Sequence, residues 1–151
     1  MRSGGANLAI ASLGRLIQTI ETLARAPRRV AILAAPELTK LLRIQYLTGT
    51  DPYGRPWRAL KPSTLAKGRH PPPLTDTKRL RDGTRAMVAP GGRAGIRLKL
   101  GAPYGFFHQV GFRVGKTKVA PRRILPQFGI PATWRKVLDD ASRRALQEAR
   151  R

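Results

Sequence analysis

The chain contains no cysteine, which removes disulfides, thiolate zinc sites, iron–sulfur ligation and thiol nucleophiles together. Acids are nearly as scarce: eight Asp and Glu face thirty Lys and Arg, a net charge of +22. General acid–base and metal chemistry draw on clustered carboxylates, and these eight are scattered. Asp139 and Asp140 are adjacent, but neighbours on a helix point about 100° apart and make a poor metal site. They are better placed to offset Arg135, Lys136, Arg143 and Arg144 along a helix surface. The two histidines, His70 and His108, lack metal-ligand spacing. Gly91-Gly92-Arg93-Ala94-Gly95 lacks the Lys-Ser/Thr ending of a phosphate loop. These shortages argue against an enzyme, a metal site or a cofactor. No apolar run approaches the roughly 20 residues of a membrane span. The opening Met1-Arg2-Ser3-Gly4-Gly5 has a faint likeness to a leader, but Arg15 interrupts the apolar stretch that follows, which reads better as an amphipathic helix.

What is present organises as one α+β domain over 1–151, with N-terminal helices, a long loop, a small antiparallel β-sheet and a C-terminal helix. Over residues 7–26, Leu13, Leu16, Ile17, Ile20, Leu23 and Ala24 recur at helical spacing. Pro27 ends or kinks that helix, and Leu38, Leu41, Leu42 and Tyr46 mark a second, so 7–48 is helical. Residues 49–73 are too dense in proline and glycine for a helix or a central strand and form a long loop. Trp57 and Leu60 are expected to pin it to the core, since a tryptophan has about 150–250 Å² to bury. A short helix is expected near 76–82.

Residues 84–126 read as β-rich. The stretches 85–89 and 96–100 form a hairpin around Pro90-Gly91-Gly92, because Gly95-Ile96-Arg97-Leu98-Lys99-Leu100 alternates apolar and basic residues. Residues 104–110, short and aromatic, are read with the strands. Residues 114–125 make a ribbon or an extended arm turning at Gly115-Lys116. A helix over 131–149 opens at Pro131, with Trp134, Val137, Leu138, Ala141 and Ala145 as its buried stripe.

The charge is unevenly spread. No acid occurs in 83–138, where Arg85, Arg93, Arg97, Lys99, Arg113, Lys116, Lys118, Arg122, Arg123, Arg135 and Lys136 lie. Arg93, Arg97, Lys99, Arg113, Lys116, Lys118, Arg122 and Arg123 are therefore expected to face DNA or an acidic partner. Such attraction carries no base-reading information. His108 and Gln109 are expected to hydrogen-bond the backbone of the long loop. Tyr104, Phe106 and Phe107 are expected in the core or at a subunit contact.

Three segments in order carry a resemblance. They are Asp51-Pro-Tyr-Gly-Arg-Pro-Trp-Arg-Ala-Leu-Lys-Pro-Ser-Thr-Leu65, then Pro73-Leu-Thr-Asp-Thr-Lys-Arg-Leu-Arg81, then Tyr104-Gly-Phe-Phe-His-Gln-Val-Gly111 followed by Val119-Ala-Pro-Arg-Arg-Ile-Leu-Pro126. Together these resemble the tailed-phage virion-morphogenesis family of tail-completion or head–tail joining proteins, over roughly residues 44–146. That family typically shows an acidic-Pro-x-Gly-x-Pro-Trp-x-x-Leu loop, a Leu-x-x-Thr-Gly-x-Leu segment and a Tyr-Ala-x-x-His-Gln-x-Gly stretch, with an arm before a C-terminal helix. Lys78 stands where the pattern has glycine, Gly105 where it has alanine, and the arm's residue order differs.

The resemblance implies a virion protein, made in the host bacterial cytoplasm, that forms a ring, most often a hexamer, at the neck or top of the tail. It implies tail-tube and connector proteins as partners and genomic duplex DNA passing through, with no membrane. An arm over 115–126, poor in large apolar residues, is then expected to be mobile in the monomer and to lay Ile124 and Leu125 on a neighbouring subunit. The alternatives are a hairpin packed on its own sheet and, for the whole chain, a basic nucleic-acid-binding protein of ribosome-associated or nucleoid type without sequence preference.

Overall fold

The computed structural model describes residues 4–150; within its first helix, side chains are described from Ile17 onward except at 19, 22 and 23. The element order is α1 (Gly4–Thr48), α2 (Pro62–Leu65), α3 (Arg79–Gly83), β1 (Arg85–Val88), β2 (Ile96–Lys99), α4 (Gly105–Val110), β3 (Phe112–Val114), β4 (Thr117–Val119) and α5 (Ala132–Ala149). The class is α+β, with antiparallel pairs β1–β2 and β3–β4 as two separate hairpins. No described helix is long and apolar enough to cross a membrane.

The two N-terminal helices expected from Pro27 are one continuous helix, with Pro27 and Pro36 inside it. Both prolines are exposed, so water can serve the carbonyls that lose a backbone donor. Across Pro36 the helix is also held by packing, because Ala34, Ala35, Leu38 and Leu42 are buried against Ala86, Trp134 and Ala141. Upstream the expected buried stripe is not covered: Ile17 is 49% and Ile20 57% exposed. The end of α5 lies against Arg29 through its bond to Glu148, and those residues precede that point. Ala24 is exposed as well, and the remaining members of the stripe, Leu13, Leu16 and Leu23, fall outside the described side chains.

Edge strand β1 is fastened to α1 by one hydroxyl. Thr39 Oγ1 accepts from the Ala86 amide at 3.0 Å and donates to the Ala35 carbonyl at 2.9 Å. The 104–110 stretch, expected as a strand, is a short helix. Its inward positions, Gly105 and Gln109, are four residues apart, and a helix lets both reach the core while the phenylalanines between them stay outside. A Cβ at Gly105 would stand 2.7 Å from Leu80 Cδ1, so an alanine there would oblige the Leu80 side chain to shift.

A second cluster holds the loop-rich half: Tyr46, Trp57, Leu80, Ala102 and Ile124. Trp57 stacks edge-on against Tyr46 at 5.6 Å and donates from Nε1 to the Arg123 carbonyl at 2.9 Å. The turn that delivers it is closed by Asp51, whose Oδ1 accepts from the Tyr53 and Arg55 amides at 2.9 Å each. Asp51 Oδ2 accepts from Arg55 Nε, and Gly54 takes φ 82°, a region open to glycine. Beneath lies a buried hydroxyl network. Thr84 Oγ1 gives its only proton to the Leu80 carbonyl at 2.6 Å, so the Gly101 amide and the Tyr46 hydroxyl, each 3.0 Å away, must donate to it. Burial pushes the Tyr46 phenol up to about 12.

Trp57→Ala should therefore cost about 3–5 kcal/mol in a denaturant titration, since it empties the cluster and orphans a carbonyl. A loss under about 0.5 kcal/mol, the level of a neutral surface change, would contradict this packing. Lys78 gives a test of opposite sign: its φ of 57° is left-handed, at the position where the resembled pattern has glycine. Lys78→Gly should stabilise the protein by about 1 kcal/mol. Lys78→Ala should give no such gain.

Candidate interface for a polyanion or acidic partner

The cations marked out by the sequence divide into two kinds. Arg93 is exposed in the turn joining β1 to β2, and Arg97 and Lys99 are exposed on β2, while Ile96 and Leu98 of that strand pack toward the α1 core. Arg113, Lys116 and Lys118 are exposed on the β3–β4 hairpin, whose turn opens at Gly115 with φ 56°. The registers bring like charges face to face. Arg85 stands opposite Lys99 in the first hairpin, and Arg113 opposite Lys118 in the second. Like charges directly opposite destabilise a sheet, so each hairpin would be relieved by an anion above it.

Among the described residues the chain supplies no such anion. Glu21, Glu37, Asp51, Asp76, Asp82, Asp140 and Glu148 are each within ion-pair range of a cation elsewhere. Among the described residues, none of Arg93, Arg97, Lys99, Arg113, Lys116 and Lys118 has a carboxylate partner.

Arg122 and Arg123 are of the second kind, half-buried and used as fasteners. Arg122 donates through Nε to the Arg58 carbonyl at 3.1 Å, and Arg123 lies 5.1 Å over the Phe128 ring. Burial first, and then Arg58, lowers the Arg122 pKa from its ordinary value.

The arm behaves differently from expectation beyond residue 119. The β3–β4 hairpin projects, but Ile124 is 0% exposed in the chain's own core. Gln109 holds it there: Oε1 accepts from the Ile124 and Leu125 amides at 2.7 and 2.9 Å, and Nε2 donates to the Leu125 carbonyl at 2.8 Å. Gln109 thus grips the arm and not the 49–73 loop. His108 also serves the arm, its carbonyl accepting from the Arg122 amide at 2.7 Å. Leu125 is half-buried between both clusters, and Leu60 is half-buried beside Arg122. Ile124 therefore has no surface left for a neighbouring subunit.

Apolar surface remains elsewhere. Phe106 is 60% and Phe107 54% exposed, with Tyr104 and Val110 also outward, so one side of α4 is bare. A separate apolar groove of about 680 Å³ runs between α1, β2 and α5. Pro27, Val30, Ile96, Leu138 and Leu146 line it, and no charged side chain does. Among the described residues, no group of three or more His, Cys, Asp or Glu could hold a metal ion.

Sequence reasoning passes over Gln45, whose Nε2 donates to the Ile124 carbonyl, and Tyr53, whose hydroxyl accepts from the Phe128 amide. Neither has a signal in the sequence, since each partner lies more than 70 residues away. Arg85 is legible: the hairpin register alone sets it opposite Lys99. No family model, curated protein or solved structure matches the chain.

His108 generates a pH test. Burial, then Arg122, lowers its pKa, and it sits edge-on to Tyr104 and Phe112. Above its ordinary value of about 6.5 the group is neutral folded and unfolded, and stability does not depend on it. Below that value the unfolded chain takes the proton first, so stability falls as pH drops toward the lowered folded value. The melting temperature should fall between about pH 7.5 and pH 5.5, and His108→Gln should flatten that fall. An unchanged slope in the variant would contradict the assignment.

Proposed function

We propose that this protein is a structural component of a tailed-phage virion, a ring-forming subunit at the head–tail junction or top of the tail. Its basic hairpins would meet DNA or acidic neighbours. The observation that carries the reading is the pair of opposed like charges, Arg85–Lys99 and Arg113–Lys118, with no carboxylate partner among the described residues. A surface of this kind suits a partner with regular negative charge and does not select sequence.

Two further features support the ring. The bare side of α4 and the apolar groove between α1, β2 and α5 are built on different elements. Distinct surfaces of that kind are what a head-to-tail interface needs to close into a ring. The resemblance gains support from one position where this chain departs from the pattern. Lys78 replaces a glycine and still takes the left-handed φ that glycine favours.

Native mass spectrometry of the purified chain is expected to give a closed oligomer, and Phe106→Glu with Phe107→Glu to give folded monomers. Duplex DNA should bind without sequence preference and lose affinity by about 10³–10⁵ between 50 and 200 mM salt if 6–10 phosphates are engaged. Removing Arg113, Lys116 and Lys118 together should flatten the salt slope by about 0.9 for each phosphate no longer neutralised. A chain that stays monomeric and still binds duplex DNA is a free nucleic-acid-binding protein, and the ring reading then fails.

A further inference from the structure

Both histidines of the chain, distant in sequence, line one recess of about 600 Å³ between the 60–79 segment, α4 and Arg122. That volume lies within the range of small-molecule sites, about 300–1,000 Å³. Lys67, Arg69, Arg79 and Arg122 contribute cations to its wall, and Asp76 is its single acid. Asp76 is already paired with Arg69, so the other three charges are left without a carboxylate. Arg122 is the decisive one. It is half-buried, has only backbone carbonyls as partners, and has a neighbouring Arg58 that adds to its burden. A desolvated guanidinium without an anion is costly, and a phosphate oxygen is the partner its fork fits.

The rest of the wall is suited to more than a bare anion. Tyr104 and His108 present ring faces and edges at a centroid separation of 6.2 Å, and Leu60 and Leu74 add apolar surface. Thr64 and Thr77 offer hydroxyls. Burial keeps His108 below its ordinary pKa, so at neutral pH it acts as a ring and a hydrogen-bonding group.

We propose that this recess is a nucleotide-binding site, with Lys67, Arg79 and Arg122 on the phosphate and Tyr104 and His108 against the base. The chemistry is that of a nucleoside phosphate, supplied either free or as one unit of a single strand. The site is separate from the cationic hairpins, and the proposal stands whether or not the chain forms a ring.

Titration of the full chain with dAMP, with inorganic phosphate and with an oligothymidylate tests it, read by calorimetry and by the ring proton signals of Tyr104 and His108. dAMP should bind saturably and more tightly than phosphate, shifting both rings where phosphate shifts them little. Lys67→Gln with Arg79→Gln, both exposed positions, should weaken dAMP at least tenfold, which is about 1.4 kcal/mol. Lys116→Gln, in the β3–β4 turn and outside the recess lining, should leave dAMP binding unchanged while lowering affinity for duplex DNA. Binding of dAMP as tight as the oligomer per site assigns a free nucleotide. A tighter oligomer that is lost with the same double variant assigns a strand. No saturable dAMP binding up to about 10 mM, equal affinity for phosphate, or equal sensitivity to Lys116→Gln would overturn the proposal.

Discussion

Three parts of the chain converge on the extended backbone of residues 122–125. Trp57 from the long loop donates to the Arg123 carbonyl, Gln45 from α1 to the Ile124 carbonyl, and Gln109 from α4 bonds both Ile124 and Leu125. The His108 carbonyl takes the Arg122 amide. A segment without a sheet partner must find donors and acceptors for every buried peptide group, and side chains do here what a neighbouring strand does in a sheet. Remove this run and the 49–73 loop loses its seat, α4 loses its inward bonds and the second cluster loses Ile124. The loop-rich half of the molecule has a small apolar cluster, and the peptide groups of this run are bonded from several directions, although Gln45 Oε1 and Arg123 Nε are buried without a partner.

How much of this the sequence discloses follows from the range of the forces involved. The β1–β2 hairpin and α5 are legible because alternation and the three-to-four spacing report a buried face directly, and Trp134, Ala141 and Ala145 are buried as that spacing requires. The continuity of α1 through Pro27 is not legible, because a proline's local penalty is visible in the sequence whereas its solvent-facing position is not. The α4 segment reads as a strand because phenylalanine and valine favour strands locally. Its helical state is set by Gly105 and Gln109 reaching Leu80 and the arm, contacts remote in sequence. The arm is too poor in apolar residues to order by apolar burial alone. It is ordered instead by the bonds of Gln45, Trp57 and Gln109, none of which an apolar count includes.

The site is partly legible for the same reason. Charge is a property of composition, so the acid-free span needs no fold to be seen. The separation of its cations into displayed and structural ones does need it. Arg122 and Arg123 share the span with Lys116 and Lys118, yet Arg122 bonds the Arg58 and Ala59 carbonyls and Arg123 lies over the Phe128 ring with its Nε buried. Conversely, Lys67 and Arg79 lie outside the span and join Arg122 at the recess only through the course of the 60–79 segment.

These arrangements imply a division of labour for the positive charge. Where a cation is needed for the fold, it is given a carboxylate, a carbonyl or a ring, as with Arg55 on Asp51 and Arg29 on Glu148. Displayed on a hairpin, Arg85 and Lys99, and Arg113 and Lys118, are set opposite each other, with no carboxylate partner among the described residues. The second arrangement weakens the isolated hairpins and is relieved when a polyanion arrives, releasing counterions as it does so. Both hairpins are short, at four and three residues per strand, so little backbone pairing competes with that repulsion. Their stability is accordingly tied to ionic strength and to whatever negative surface lies above them. The second cluster, built from apolar contacts and buried hydrogen bonds around Tyr46, includes neither hairpin and has no such dependence.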